Sequence, residues 1–344
     1  MREPRRRLKP RSRSSSSSVT GKERKPSRRA SARSYRTAVG VGMEEPRVKL
    51  VVTADDFGYC PRRNGGIVEA FLDGAVTSAS LLVNGSAAVD AARLAQRHGI
   101  PTGLHLNLTE GSSVSGAVGP GSSLRAAGGF LPGKLGLRQA LQRGHLDLAE
   151  VKLELEAQLA LFRDLLGRDP LHVDGHQHVH VLPGVRRVFA QVLESHGIQF
   201  TRVPAEPGLA RCDWLEPPLL DFYEGVGADG RAAAGEFAQH GIRWPDAFFG
   251  LSTMGKHMSV GRLGAALERA VGSVPDRGSS GAVTVELMTH PGHPSVPPAG
   301  GCGQGPDRFS QSWERLHELR TLLAPELRDH FRDTGVRLCA FSDL

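Results

Sequence analysis

Residues 48–54, Val-Lys-Leu-Val-Val-Thr-Ala, form an apolar run that stops at Asp55-Asp56-Phe57-Gly58. A valine-rich run of this kind suits a strand covered on both faces, and such strands belong to parallel sheets whose crossovers are helices. That one segment confines the chain to folds in which strands alternate with helices. The rest of the sequence keeps the rhythm, with a helix expected at 67–72, a strand at 77–83, a helix at 87–97 closed by Gly99, and a strand at 101–108. Val151, Leu155, Leu159, Phe162 and Leu166 place a helix at 150–166, with Gly167 just past its end. A histidine-rich segment follows at 171–180, then a helix at 185–195 and a strand at 199–203. Further on come a helix at 262–271, a strand at 282–288, helices at 311–323 and 326–334, and a last strand at 336–341.

Two stretches break this pattern. Residues 111–133 are rich in Gly and Ser and read as a long loop over one end of the fold, while 205–255, rich in Pro, Gly and aromatics, read as an irregular insertion or lid. The expected fold class is α/β, a closed or nearly closed TIM-barrel-like (β/α) barrel, in which chemistry collects at the C-terminal strand ends. No GxGxxG or GxxxxGK[ST] element supports a nucleotide reading.

Charge divides the chain more sharply than any other property. The first 42 residues hold 14 Lys and Arg against Glu3 and Glu23, which leaves 29 basic and 34 acidic residues for the remainder. The body is therefore mildly acidic and offers no compositional case for nucleic acid. Residues 1–46 read as a disordered, basic Arg/Ser-rich tail, and 47–344 as the folded domain. The tail suits nuclear import, RNA contact or a transit peptide, and Met43 is an alternative start. No apolar run of about 18 residues spans a membrane and no signal-like segment opens the chain. Cys60, Cys212, Cys302 and Cys339 show no CxxC spacing, so neither a zinc knuckle nor a disulfide framework is expected. These features point to an intracellular protein, cytoplasmic or, through the tail, nuclear.

Polar residues gather at four expected strand ends: Asp55 and Asp56; His105 and Asn107; the cluster Leu-His-Val-Asp-Gly-His-Gln-His-Val-His at 171–180; and His290 with His293. If 171–180 is extended, His172, Asp174, His176, His178 and His180 fall on one side of it. A histidine-rich surface loop would carry such a tract without any chemistry. Four strand ends converging on one barrel mouth favour a metal site, because carboxylate and imidazole suit hard or borderline divalent ions. Two histidines and a carboxylate leave open positions on the ion for water and substrate, as in hydrolytic zinc or magnesium centres and non-haem iron sites. Of the adjacent aspartates, one can ligate while the other accepts a proton. A histidine across the site can protonate a leaving group, and His290, fixed by Pro291-Gly292, suits that task.

The segments Thr53-Ala54-Asp55-Asp56-Phe57-Gly58, Gly103-Leu104-His105-Leu106-Asn107-Leu108-Thr109, residues 172–180 and His290-Pro291-Gly292 together resemble the motifs of YdjC-like carbohydrate deacetylases. The body resembles a vertebrate member of that family. The resemblance implies a barrel related to polysaccharide deacetylases, one divalent ion with magnesium favoured and zinc an alternative, and removal of acetyl groups from acetylated, mainly N-acetylated, sugars or oligosaccharides. By position it implies Asp56, His105 and His176 as ligands, Asp55 as proton acceptor and His290 as general acid. Asn107, Asp174, His178 and His180 fall behind the ligands or along the substrate cleft. Metal-dependent phosphoester hydrolysis and a non-catalytic binding module remain the rival readings. The sequence leaves the assembly state open, a homodimer included.

Overall fold

In the computed structural model, residues 46–116, 118–126, 131–275 and 281–344 are described. The basic tail expected at 1–46 lies outside them apart from Pro46. The chain runs β1 (Val48–Phe57), α1 (Pro61–Leu72), β2 (Ser78–Leu81), α2 (Ala88–His98), β3 (Thr102–Leu106), α3 (Gly133–Gln142), α4 (Leu148–Leu166), β4 (Val173–Gly175) and α5 (Val185–Ser195). It continues through α6 (Pro217–Gln239), β5 (Ala247–Phe249), α7 (Val260–Gly272), β6 (Val283–Thr289), α8 (Arg308–Gln311), α9 (Glu314–Leu322), α10 (Pro325–Asp333) and β7 (Val336–Cys339).

All strand pairs are parallel, in the order β4-β3-β2-β1-β6-β5. Strand β1 is the axis of the fold. It pairs with β6 from Val48 to Ala54, and its other edge is shared between β7 at Val48–Val51 and β2 from Thr53 onward. Beyond β4, single bridges from Val173 to Thr201 and from Phe200 to Arg243 carry the ring toward β5. The result is the TIM-barrel-like α/β architecture expected from the strand–helix rhythm. The strand foreseen at 199–203 survives only as those bridges.

The run at 48–54 is a buried strand, as its composition requires, but it does not stop at Ala54. It continues through both aspartates, and its register with β2 slips between Ala54 and Phe57, where Asp56 takes φ 62°. A bulge of this kind re-aims side chains near a sheet end. Here it lets two consecutive carboxylates face the same cavity.

Three expectations are corrected. The segment 171–180 is not one extended strand: only Val173–Gly175 is, after which the chain tightens into a turn over His176–Val181 with Gln177 and His178 at φ 54° and 60°. Its histidines therefore scatter to different neighbours. The 205–255 stretch is not irregular, because α6 spans 23 residues of it. Gly225, Gly227, Gly230 and Gly235 mask that helix in the sequence, yet Gly230 is needed for close packing, since a Cβ there would meet Pro204 at 3.2 Å. Finally, the helix expected at 311–323 begins only at Glu314, as α9, after the short α8 that ends at Gln311, whereas α3 begins at Gly133, where the expected loop ends.

Candidate active site

At the C-terminal ends of β1, β3, β4 and β6 lies a cavity of about 440 Å³. Asp55, Asp56, His105, His176, His178 and His290 line it, with Tyr59, Arg63 and Glu110 beside them. The barrel thus gathers six sequence-predicted groups from four separate segments.

Three atoms able to ligate a metal meet at its floor. Asp56 Oδ1 lies 3.0 Å from His176 Nδ1 and 3.6 Å from His105 Nε2, and the two imidazole nitrogens are 3.4 Å apart. Ligands about 2.0–2.2 Å from one divalent ion, at tetrahedral to octahedral angles, would be about 2.8–3.6 Å from each other. The buried Asp56 Oδ1 also makes no hydrogen bond among the described residues, despite its close neighbours. Donor type, spacing and this unsatisfied oxygen fit an ion. Burial would raise the Asp56 carboxyl, but His176, Arg63 and His290 outweigh it and hold it well below the usual carboxylate range. Burial likewise opposes protonation of His176, yet Glu110 and Asp56 raise it well above an ordinary histidine.

A second cluster, Asp55, His105 and Asp174, is equally close-set, but both of its carboxylates already pair with a cation. Arg202, wholly buried, grips Asp55 through two bonds of 2.7 and 2.8 Å, and reaches Asp174 at 3.0 Å and Glu286 at 2.9 Å. Asp174 also binds Ser80 Oγ at 2.5 Å and His105 Nδ1 at 2.7 Å. With Nδ1 donating to Asp174, His105 turns the lone pair of Nε2 toward Asp56, the arrangement by which a carboxylate orients a ligating histidine. Asp55 Oδ2 faces the same space, 3.9 Å from His105 Nε2 and 4.0 Å from His290 Nε2.

The other predicted residues take separate places. His178 lines the cavity and meets Phe248 edge-on, with ring centroids 6.4 Å apart. His180 lies in the core, stacked on Phe237, and its Nε2 donates to the Arg202 carbonyl at 2.9 Å. His172 is stacked on Phe341 at 4.1 Å and approaches Asp174 to 3.7 Å. Asn107 is a loop clamp: its Oδ1 accepts the N–H groups of Thr109 and Glu110, and its Nδ2 donates to Asn84. It thereby holds Glu110, which lies 3.2 Å from His176 Nε2. His293 is outside the cavity, paired with Glu69 at 3.2 Å.

Sequence reasoning passed over Arg63, Glu110, Arg202 and Glu286. Arg63 donates to Asp56 Oδ2 at 2.8 Å from the first turn of α1. For two of these the signal was present, since Arg202 and Glu286 are lone charges inside the apolar runs Phe200–Val203 and Val283–Met288. Buried charges in strands need partners, and here they partner each other.

A family model of YdjC-like proteins matches residues 49–333. The chain belongs to the YdjC-like family. A carbohydrate deacetylase of Mus musculus is 61% identical over 302 residues, covering 88% of this chain and 96% of that protein. A chitooligosaccharide deacetylase of Serratia marcescens is 31% identical over 297 residues, 86% of this chain and 98% of its own length. Among solved structures, a protein of Enterococcus faecalis V583 named for cellobiose-phosphate cleavage superposes with a TM-score of 0.64 at 22% identity, over 86% of this chain and 98% of that one. It shares the fold of this YdjC-like chain. No helix among the described residues is long and apolar enough to cross a membrane.

Proposed function

We propose that this YdjC-like protein is a metal-dependent hydrolase that removes acetyl groups, principally N-acetyl, from carbohydrates. The convergence of Asp56 Oδ1, His105 Nε2 and His176 Nδ1 at 3.0–3.6 Å, with Asp55 and His290 beside them, carries the reading. Family membership and the deacetylase names of the relatives support the substrate class. Asp56, His105 and His176 would hold the ion, with magnesium favoured by family resemblance and zinc also compatible with the donor set. Such an ion would supply Lewis acidity toward an acetyl carbonyl and would lower the pKa of a bound water, toward about 7 in the case of zinc.

The protein's own groups do the remaining work. Arg202 fixes both oxygens of Asp55, so that Oδ2 faces the reacting space and accepts the proton of the attacking water. His290 lies across that space and protonates the departing nitrogen, releasing acetate and a free amino sugar. Burial and the nearby Arg315 push the His290 imidazole well below its ordinary value. It therefore starts neutral and gains its proton within the cycle, with Asp55 Oδ2 4.0 Å away. Phe222, Tyr223 and Phe309 supply apolar walls for sugar rings.

An acetate-release assay against a panel of acetylated mono- and oligosaccharides tests the reading. Activity should disappear with a chelator and return with added divalent metal. Acetate release that survives complete chelation would exclude the metal-dependent mechanism, and phosphate release from sugar phosphates in its place would exclude the substrate class.

A further inference from the structure

Helix α9 carries Arg315 and Glu318 one turn apart, both wholly buried and paired at 3.2 Å. Their bonds converge on one short segment. Glu318 Oε2 accepts the backbone N–H of His290 at 2.5 Å, while Arg315 Nη1 donates to the His290 carbonyl at 3.2 Å. The Arg315 carbonyl accepts the N–H of Gly292 at 3.2 Å, and its guanidinium lies 3.4 Å over the Phe309 ring. The other Glu318 oxygen, Oε1, accepts the N–H of Gly255 at 2.7 Å, and Glu314 accepts that of Lys256 at 2.9 Å. Gly255 has φ +60°, and a Cβ there would strike the Glu314 carboxylate, so this approach needs glycine. Met254, Lys256 and His257 line the same cavity as His290.

A buried ion pair is a poor way to gain stability, because desolvation offsets most of its attraction. Its value here is directional. Both peptide groups of His290 are held by Glu318 and Arg315, and the same Glu318 carboxylate also holds the Gly255 turn of the cavity wall. We propose that Glu318, charge-balanced by Arg315, is a positioning residue that sets His290 against the Gly255–His257 wall, so that the imidazole reaches the leaving atom of a bound substrate. This rests on His290 being the proton donor. A displaced imidazole slows the departure of an amide nitrogen, which needs a proton, and hardly affects a group that leaves as a stable anion.

The test uses the full chain, metal-loaded, with N,N'-diacetylchitobiose as the amide probe and 4-nitrophenyl acetate as the activated ester. Glu318→Gln keeps the side-chain size and loses one acceptor oxygen. It should lower kcat on the amide about 100-fold while the ester rate stays at the wild-type value. Equal losses on both probes, or none on the amide, would overturn the proposal. If Glu318→Gln does not fold, Arg315→Lys keeps the charge, loses the contact to the His290 carbonyl, and should show the same split. His290→Ala, run alongside, separates the two claims. Should it retain amide turnover, the proton-donor reading falls; should it show the split while the α9 variants do not, only the positioning proposal falls. Absence of wild-type amide turnover removes both.

Discussion

At the floor of the cavity, Asp55, Arg202, Asp174 and His105 are joined by charge-assisted contacts of 2.7–3.0 Å, and every member is buried. The wall contributed by α6 is held differently. Phe222 sits beneath the Lys134 ammonium at 4.2 Å and the Arg138 guanidinium at 5.1 Å, while Leu209, Tyr223, Phe248 and Leu251 form a small apolar cluster of their own. Floor geometry is fixed by directional bonds in a low-dielectric setting, where a lost partner is costly. Wall geometry rests on dispersion and ring quadrupoles, which tolerate change. The floor should therefore govern chemistry and ion binding, and the wall should govern substrate affinity.

The severest break in that division is His176→Ala. Removing a proposed ligand should weaken divalent-metal binding by more than the roughly 10–100-fold typical of residues that only orient a ligand. Calorimetric titration of the metal-free protein reads this directly. Wild-type affinity in the variant would take His176 off the ion.

Asp55→Asn probes the floor without touching the ion. The amide keeps the shape of the carboxylate but cannot accept the proton, so turnover should fall by about 10²–10⁴ while metal content stays at the wild-type level. Full activity would remove Asp55 as the base. Loss of metal together with activity would move it among the ligands.

How far the sequence disclosed this division depends on how local the determining residues are. Asp55, Asp56, His105 and His290 announce themselves because each lies at the end of an apolar strand, and one strand suffices to place a side chain at the barrel mouth. The histidine segment was legible as a site but not as a shape. Its one-sided arrangement assumed an extended backbone, whereas Gln177 and His178 adopt left-handed conformations that leave His176 in the cavity beside Asp56 and send His180 to the core. Arg202 stood out as a lone charge, but its role and that of Glu318 were illegible because they arise only when segments 147 and 28 residues apart meet. Helix α6 escaped because its four glycines dilute the apolar period, although of these only Gly230 packs closely against a neighbouring segment, at Pro204.

His180 tests whether the floor's rigidity extends into the core behind it. Burial lowers its pKa from 6.5 to about 4. A folded-state value below the unfolded one means that the unfolded chain binds the proton more readily. The contribution is thus fully present above pH 6.5 and is lost as pH falls from 6.5 through about 4. Over that window it amounts to about 3 kcal/mol. In His180→Phe, which keeps the ring beside Phe189 and Phe237, the acid-induced loss of denaturant stability should shrink by about that amount. Stability at neutral pH should fall by about 1 kcal/mol for the lost bond to the Arg202 carbonyl. Parallel stability–pH curves for the two proteins would show that His180 does not titrate on unfolding.

The mildest change is expected at the wall. Phe222→Ala removes the ring that Lys134 and Arg138 cover and that faces the cavity, leaving every bond among Asp55, Asp56, Arg202 and the histidines intact. If the ring's role is to stack on a sugar, its loss should raise KM by about fivefold, corresponding to about 1 kcal/mol, with kcat and metal affinity unchanged. A fall in kcat would break the division. It would mean that the wall transmits its position to the reacting groups, and that the floor's directional bonds do not by themselves fix the geometry of the chemistry.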